Sequence, residues 1–184
     1  MPRRNVHIAL LRGINVGKAK RIAMADLRKL VEKLGYGDVK TILNSGNIIY
    51  APERGTAEQS AMKIEKALLS ATGITSRITG ITAEELDEIM RANPFPAAVE
   101  TPSRFLIAVA RDAEALRKVE PLAKLNWGSE RLVLGKRAAY MWSPDGILEG
   151  KMMDAVGKAA GDGITARNWA TCGKIAATAK EIAG

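Results

Sequence analysis

Two short, nearly continuous apolar runs, residues 6–11 and 104–110, begin the same succession of predicted elements in the two parts of the chain. Such a run is typical of a central strand that is buried on both faces. After the first run, the apolar spacing and the Gly and Pro positions predict a helix over 24–34, strands over 39–43 and 48–51, a helix over 56–72 and a strand over 77–81. This β-α-β-β-α-β order is that of the split βαβ, or ferredoxin-like, fold.

The second part of the chain repeats most of this order. Thr82 and Glu85 form a capping box for a helix that ends before Pro94. Residues 104–110, 112–122, 131–134, 138–142 and 151–160 then predict β-α-β-β-α, and a helix over 168–182 takes the place of the expected fourth strand. We therefore expect an α+β protein of two duplicated ferredoxin-like halves, residues 1–81 and 82–184, with antiparallel sheets and a C-terminal helix, forming one compact unit.

Positive charge is concentrated near the N-terminus. Residues 1–40 contain ten Lys or Arg and three acidic residues, an excess of +7 in a chain whose net charge is +8. A local field of this sign attracts phosphates, nucleic acid or an acidic partner. A solvated basic helix surface is the alternative explanation.

Two connections of the first half are predicted to lie side by side. In a split βαβ sheet the first two strands are parallel, so the loop after strand one and the turn between strands two and three leave the same edge. Together they offer cations, amides, a hydroxyl and backbone N–H groups, which suit a small anionic or phosphate-bearing ligand. The alternative is that tight-turn chemistry alone requires these residues. The predicted ligand-binding residues are Arg12, Gly13, Asn15, Gly17, Lys18, Asn44, Ser45, Gly46 and Asn47.

Arg167 and Asn168 are candidate additions to this site from the second half. They open the predicted last helix, and a helix N-terminus with basic and amide side chains favours an anion. The alternative is that Thr165 or Asn168 caps the helix while Trp169 packs inward.

Several kinds of active site are excluded. Residues 13–19 resemble a phosphate-binding P-loop, but the spacer is one residue short and no Ser or Thr follows Lys18. Ser45 has no catalytic partner, because the only histidine, His7, is expected at the opposite edge of the sheet. With one His and one Cys, Cys172, a zinc or haem site is implausible, so we expect no metal and no cofactor.

The remaining composition favours a cytoplasmic protein. A single cysteine excludes an internal disulfide and fits a reducing compartment. No apolar run approaches the ~20 residues that a membrane helix needs, and the run after the basic N-terminus is too short for an export signal.

Four segments carry a resemblance to a known family. They are residues 10–17 (LLRGINVG), 43–50 (LNSGNIIY), 92–95 (ANPF) and 165–169 (TARNW). In this order and spacing they resemble the bacterial family of unknown function DUF1697, over almost the full length. The resemblance implies a duplicated ferredoxin-like fold and no assigned activity. Two departures are Gly17-Lys18-Ala19, where that family usually reads Gly-Gly-Lys, and Gly150, where it usually has Ser.

Three functions therefore follow from the sequence. The first is binding of a small anionic ligand by Arg12, Asn15, Lys18, Ser45 and Asn47. The second is an enzyme that uses Arg12 and Lys18 to position and stabilise a transferring group without a nucleophile. The third is weak nucleic-acid association, which is disfavoured because the central strands of the first half offer only Tyr50 for stacking.

Overall fold

Two four-stranded antiparallel sheets with six α-helices form the fold of the computed structural model, which describes residues 4–146 and 151–184. The strand orders are β2-β3-β1-β4 and β6-β7-β5-β8. The first half contains β1 (His7–Leu11), α1 (Met24–Glu32), β2 (Gly37–Ile42), β3 (Asn47–Ala51), α2 (Ala57–Thr72), β4 (Ile78–Thr82) and α3 (Ala83–Arg91). The second contains β5 (Phe105–Ala110), α4 (Ala113–Ala123), β6 (Arg131–Leu134), β7 (Ala138–Trp142), α5 (Lys151–Ala160), β8 (Ile164–Asn168) and α6 (Trp169–Ala183). The predicted α+β class is confirmed.

The C-terminal region differs from the prediction. Residues 164–168 form β8, which pairs with β5 from Ala110↔Ile164 to Leu106↔Asn168. The expectation of a helix in place of the fourth strand is therefore wrong. The sequence of this segment lacks the apolar pattern of a buried strand, because it contains Thr165, Arg167 and Asn168. Its extended conformation is stabilised by pairing with the apolar strand β5. Both halves consequently have the full order β-α-β-β-α-β-α.

Equivalent backbone hydrogen bonds show the duplication in detail. At the end of β1, Leu11 N donates to Gly46 O and Arg12 N to Arg77 O, both at 2.9 Å. At the end of β5 the same two bonds run from Ala110 N to Arg137 O at 2.9 Å and from Arg111 N to Gly163 O at 2.8 Å. Arg12 and Arg111 thus occupy matching positions in the two halves.

The helices that follow the fourth strands also begin alike. Thr82 Oγ1 accepts from Glu85 N at 3.1 Å, and Glu85 Oε2 accepts from Thr82 N at 2.8 Å, which confirms the predicted capping box. Asn168 Oδ1 accepts from Thr171 N at 2.8 Å. Each fourth strand therefore ends in the residue that caps the next helix.

Each sheet packs one face against two helices. In the first half the shared core contains Leu11, Leu27, Ile48, Ile64 and Leu68. In the second half the corresponding core is formed by Ala108, Val119, Met141, Met152, Val156 and Ile164, among others. The apolar residues of each core recur along the sequence at the spacing expected for one face of a helix or of a strand.

The described chain divides into two compact units. Of the described residues, one unit comprises 4–86 with 174–184, and the other 87–146 with 151–173. The end of α6 is tied to the first sheet by the Lys40 Nζ–Glu181 Oε2 ion pair at 3.2 Å and by a bond from Arg4 N to Ala183 O at 3.4 Å. The division of the sequence at residues 81 and 82 stays a prediction. No helix in the described ranges is long and apolar enough to cross a bilayer.

Candidate functional site

The loop after β1 is the largest difference between the two halves at the edge where the site is predicted. Twelve residues, 12–23, separate β1 from α1, whereas only residues 111 and 112 separate β5 from α4. The second half shows that the fold closes with the short connection. The extra residues of the first half are therefore not needed for the scaffold, and such loops commonly carry function.

Asn15 holds this loop against the neighbouring turn. Its Nδ2 donates to Ile22 O at 3.0 Å and to Asn44 O at 2.9 Å, while its Oδ1 accepts from Ile22 N at 2.9 Å. Asn15 has φ 55°, a left-handed conformation that Asn tolerates better than most residues. The loop and the turn are consequently adjacent, as the topology requires.

The turn between β2 and β3 is fixed by Asn47 and Gly46. Asn47 is fully buried, and its Nδ2 donates to Ile42 O at 2.7 Å and to Ser45 Oγ at 3.1 Å. Gly46 has φ 80°, and a Cβ there would lie 2.6 Å from Ile14 Cδ1 and 2.8 Å from Leu11 Cβ. The amide groups of Asn15 and Asn47 thus donate to the chain itself and position the edge.

A shallow hollow of about 380 Å³ lies between the loop and the turn, and Arg21 is the one cation among its lining residues. Residues 12–23 contain four cations and no acidic residue. Lys18, Lys20 and Arg21 are exposed and Arg12 is half-buried. The lining residues of the hollow are Asn15, Arg21, Ile22, Ala23 and Asn44. The side chain of Ser45, in the adjacent turn, is exposed.

Arg21 is a candidate site residue that the sequence motifs did not indicate. Its Nε and Nη2 both donate to Gly17 O, at 3.0 and 2.7 Å, so the guanidinium is held across the loop. Gly17, whose carbonyl group accepts both bonds, has φ 62° and lies in a tight turn. The signal that could have found Arg21 is the run of cations without any acid, which continues beyond the Gly-Asn motif. Ala23 follows at the start of α1, where no side chain caps the helix.

The two second-half candidates have their own contacts in the unit Asp87–Gly173. Asn168 caps α6, and the Trp169 ring stacks on Phe105 with centroids 5.2 Å apart, as the alternative interpretation expected. Arg167 ends β8, where its Nη1 donates to Ala166 O at 2.8 Å and burial lowers its pKa to about 10. Burial also raises the pKa of the Cys172 thiol to about 12. A contribution of Arg167 and Asn168 to the loop site stays a prediction.

The family is decided by the match of the sequence itself. The profile of a family of proteins of unknown function, DUF1697, matches residues 4–140. The chain belongs to this family. It is also similar in structure to a conserved bacterial protein, SP0830, from Streptococcus pneumoniae, with a TM-score of 0.71 and 21% identity over 95% of this chain and 98% of that one. At this identity the similarity shows a shared fold. No curated protein matches the chain significantly.

One residue singled out by the resemblance lies outside the described part of the chain. Gly150, where the family usually has Ser, belongs to the segment 147–150. Among the described residues, no group of three or more His, Cys, Asp or Glu side chains is placed to hold a metal ion.

A buried polar cluster in this DUF1697 protein lies at the far end of β1 from the loop. His7 pairs with Tyr50 in the sheet, whereas Leu10 pairs with Asn47, so His7 and Ser45 are at opposite ends. The His7 Nδ1 lies 3.4 Å from Ser60 Oγ, and its Nε2 lies 3.2 Å from Asn5 Nδ2. Because the Asn5 amide donates to Nε2, the proton is on Nδ1 and points to Ser60. In this tautomer His7 donates towards Ser60 and is not placed to accept the proton of its hydroxyl group.

The burial of His7 predicts a pH-dependent stability. Burial lowers its pKa below the ordinary value of 6.5, although Glu58, Glu84 and Glu85 oppose the shift. The unfolded chain therefore takes up this proton more readily than the folded protein, so stability is full above pH 6.5 and is lost as the pH falls below it. We expect urea unfolding to show a smaller loss between about pH 7.5 and pH 5.5 in His7→Asn than in the wild type. Equal losses in both proteins would contradict the assignment.

Five of the six aromatic residues of the second half pack into one cluster. Phe95, Phe105, Tyr140, Trp142 and Trp169 contact one another with ring centroids 5.2–6.4 Å apart. Phe105 is fully buried, and the Tyr140 hydroxyl donates to Ile89 O at 2.7 Å. Bases need exposed ring faces for stacking, so this cluster gives no support for nucleic-acid recognition.

Proposed function

We propose that this protein binds a small anionic, phosphate-bearing ligand at the edge formed by residues 12–23 and the turn after β2. Arg12, Lys18 and Ser45 contact the ligand, together with Arg21. The observation that carries the proposal is the twelve-residue loop, which the matching connection of the second half lacks and which has four cations and no acid.

The physical basis is charge held in place before the ligand arrives. Cations at a concave surface raise the local concentration of anions, and their fixed positions reduce the entropy cost of binding. Two side-chain amides hold these segments in position. The Asn15 amide binds the loop to the turn, and the Asn47 amide binds the turn to β2. The uncapped start of α1 adds N–H groups whose partial positive charge favours the same ligands.

The proposal is tested by removing two loop charges while keeping polar side chains at both positions. In the variant Lys18→Gln/Arg21→Gln we expect at least about tenfold weaker binding of inorganic pyrophosphate in isothermal titration calorimetry, since each lost charge-assisted contact contributes roughly 1.5–3 kcal/mol. Lys63→Gln/Lys66→Gln, which removes two exposed charges from α2, is the matched control and is expected to bind as the wild type does.

A thermal-shift screen with phosphate, pyrophosphate, nucleotides and sugar phosphates gives the decisive negative result. A ligand at 100 times its Kd stabilises the folded protein by about 2.7 kcal/mol, which is readily visible as a higher Tm. If no phosphorylated compound at high excess raises the Tm, the protein has no such site. Equal affinity of the loop variant and the wild type would place the binding elsewhere.

A further inference from the structure

A second hollow, of about 400 Å³, continues from the first one along α1. The two hollows adjoin, because Arg21, Ile22 and Ala23 line both, and we treat the pair as one groove. We call this the α1 groove. The further lining residues of its second part are Asp26, Lys29, Leu30, Lys33, Ala71 and Thr72.

The charge of the second part is also positive. Arg21, Lys29 and Lys33 against Asp26 give a formal balance of +2. Within residues 4–146 and 151–184, neither Lys29 nor Lys33 forms an ion pair, whereas Arg28 of the same helix is paired with Glu32 at 3.2 Å. Glu32 of α1 is therefore paired with Arg28 and not with either lysine of the groove.

The opposite wall of the groove does not cancel this charge. The wall is the end of α2, where helix carbonyl groups would repel an anion. Two of these carbonyl groups already accept hydrogen bonds, Leu68 O from Thr72 Oγ1 at 2.7 Å and Leu69 O from Gly73 N at 2.8 Å. Their lone pairs are partly satisfied, so this wall opposes an anion less than a helix end with unbonded carbonyl groups would.

We propose that the ligand of the α1 groove carries two anionic groups, one at the loop near Arg21 and the second between Lys29 and Lys33. This rests on the proposed function and adds the ligand class, a small organic bisphosphate or another compound with two separate anionic groups. With a rise of 1.5 Å per residue, Lys29 and Lys33 lie roughly 8–14 Å beyond the start of α1, which sets the spacing of the two groups. The lining residues include no aromatic side chain, so recognition depends on charge and spacing and not on base stacking.

The test uses alkanediol bisphosphates of increasing chain length, with an alkyl monophosphate as reference, in calorimetry at fixed ionic strength. Joining two anions makes the second contact intramolecular, and affinity is highest when the linker matches the span. We expect one intermediate length to bind at least about tenfold more tightly than the monophosphate. In Lys29→Gln/Lys33→Gln this gain is lost while the affinity for the monophosphate is unchanged. In the matched double variant Lys63→Gln/Lys66→Gln, which removes two exposed charges from α2, the gain is retained.

The outcomes separate this inference from the proposed function. A monophosphate that binds without any bisphosphate gain, or a gain that is equal at every length, overturns the two-group ligand and leaves the loop site intact. Absence of binding for both compounds overturns the loop site and the inference together. Binding of single-stranded oligonucleotide with a steep salt dependence, without binding of any bisphosphate, also overturns it and assigns the groove to nucleic acid.

Discussion

Replacing Gly80 by alanine is expected to lower the free energy of unfolding by about 3 kcal/mol, which corresponds to a Tm roughly 6–12 °C lower. Gly80 is the middle residue of β4, an edge strand of the first sheet, and lies opposite Ala9 of β1. A Cβ at this position would lie 2.2 Å from the Ala57 carbonyl oxygen and 2.7 Å from its carbon. Both atoms belong to the backbone at the start of α2, so the whole helix must shift to admit one methyl group.

The cause of this effect is steric and not conformational, because Gly80 has no positive φ. Gly157→Ala in α5 is the matched control, since nothing lies within 4 Å of a Cβ there. This second change is expected to be neutral or to stabilise by up to about 1 kcal/mol, because alanine has the higher helix propensity. Urea and thermal unfolding of both variants make the comparison. A Gly80→Ala protein as stable as the wild type would show that α2 packs less closely on β4 than described.

Replacing Asn15 by alanine is expected to free the loop 12–23 and to weaken pyrophosphate binding more than about tenfold. Three hydrogen bonds are lost, each contributing about 1 kcal/mol net, and alanine is disfavoured at φ 55°. The Ile22 amide, which donates to Asn15 Oδ1, reports on local opening of the loop. If the free energy of this opening falls by about 2 kcal/mol, the amide should exchange with solvent about thirtyfold faster.

The variant Asn15→Gly separates the two causes. Glycine adopts the left-handed conformation without strain but has no amide to donate. If the hydrogen bonds hold the loop, Asn15→Gly exchanges the Ile22 amide nearly as fast as Asn15→Ala does. Wild-type exchange in Asn15→Gly would mean that conformation alone matters. Unchanged pyrophosphate affinity in both variants would show that ligand binding does not depend on this loop.

Most elements of the fold follow from local sequence signals. Strands such as β5 and helices such as α2 have strong apolar periods, and Thr56 and Gly73 mark the ends of α2 through a capping box and a left-handed C-terminal residue. β8 was missed because its stability comes from pairing with β5 and not from its own apolar residues. A local sequence pattern does not reveal a strand that is stabilised mainly by its partner strand.

The site was predictable only in part, because a motif does not show where its donors point. The predicted topology alone indicated that the Arg12 loop and the Ser45 turn lie at one edge of the sheet. It did not show that the amides of Asn15 and Asn47 donate to the chain itself. It also missed the contact of His7 with Ser60, since the two are 53 positions apart and no period connects them.

Composition, period and turn chemistry determined the fold class, the repeated order of elements and the excess of positive charge near the N-terminus. These properties depend on residues close in sequence, so they can be read without coordinates. Only the tertiary structure decided which polar side chains the fold uses for itself and that the groove continues along α1. Those outcomes depend on hydrogen bonds and packing between distant segments, where geometry and not residue type selects the partner.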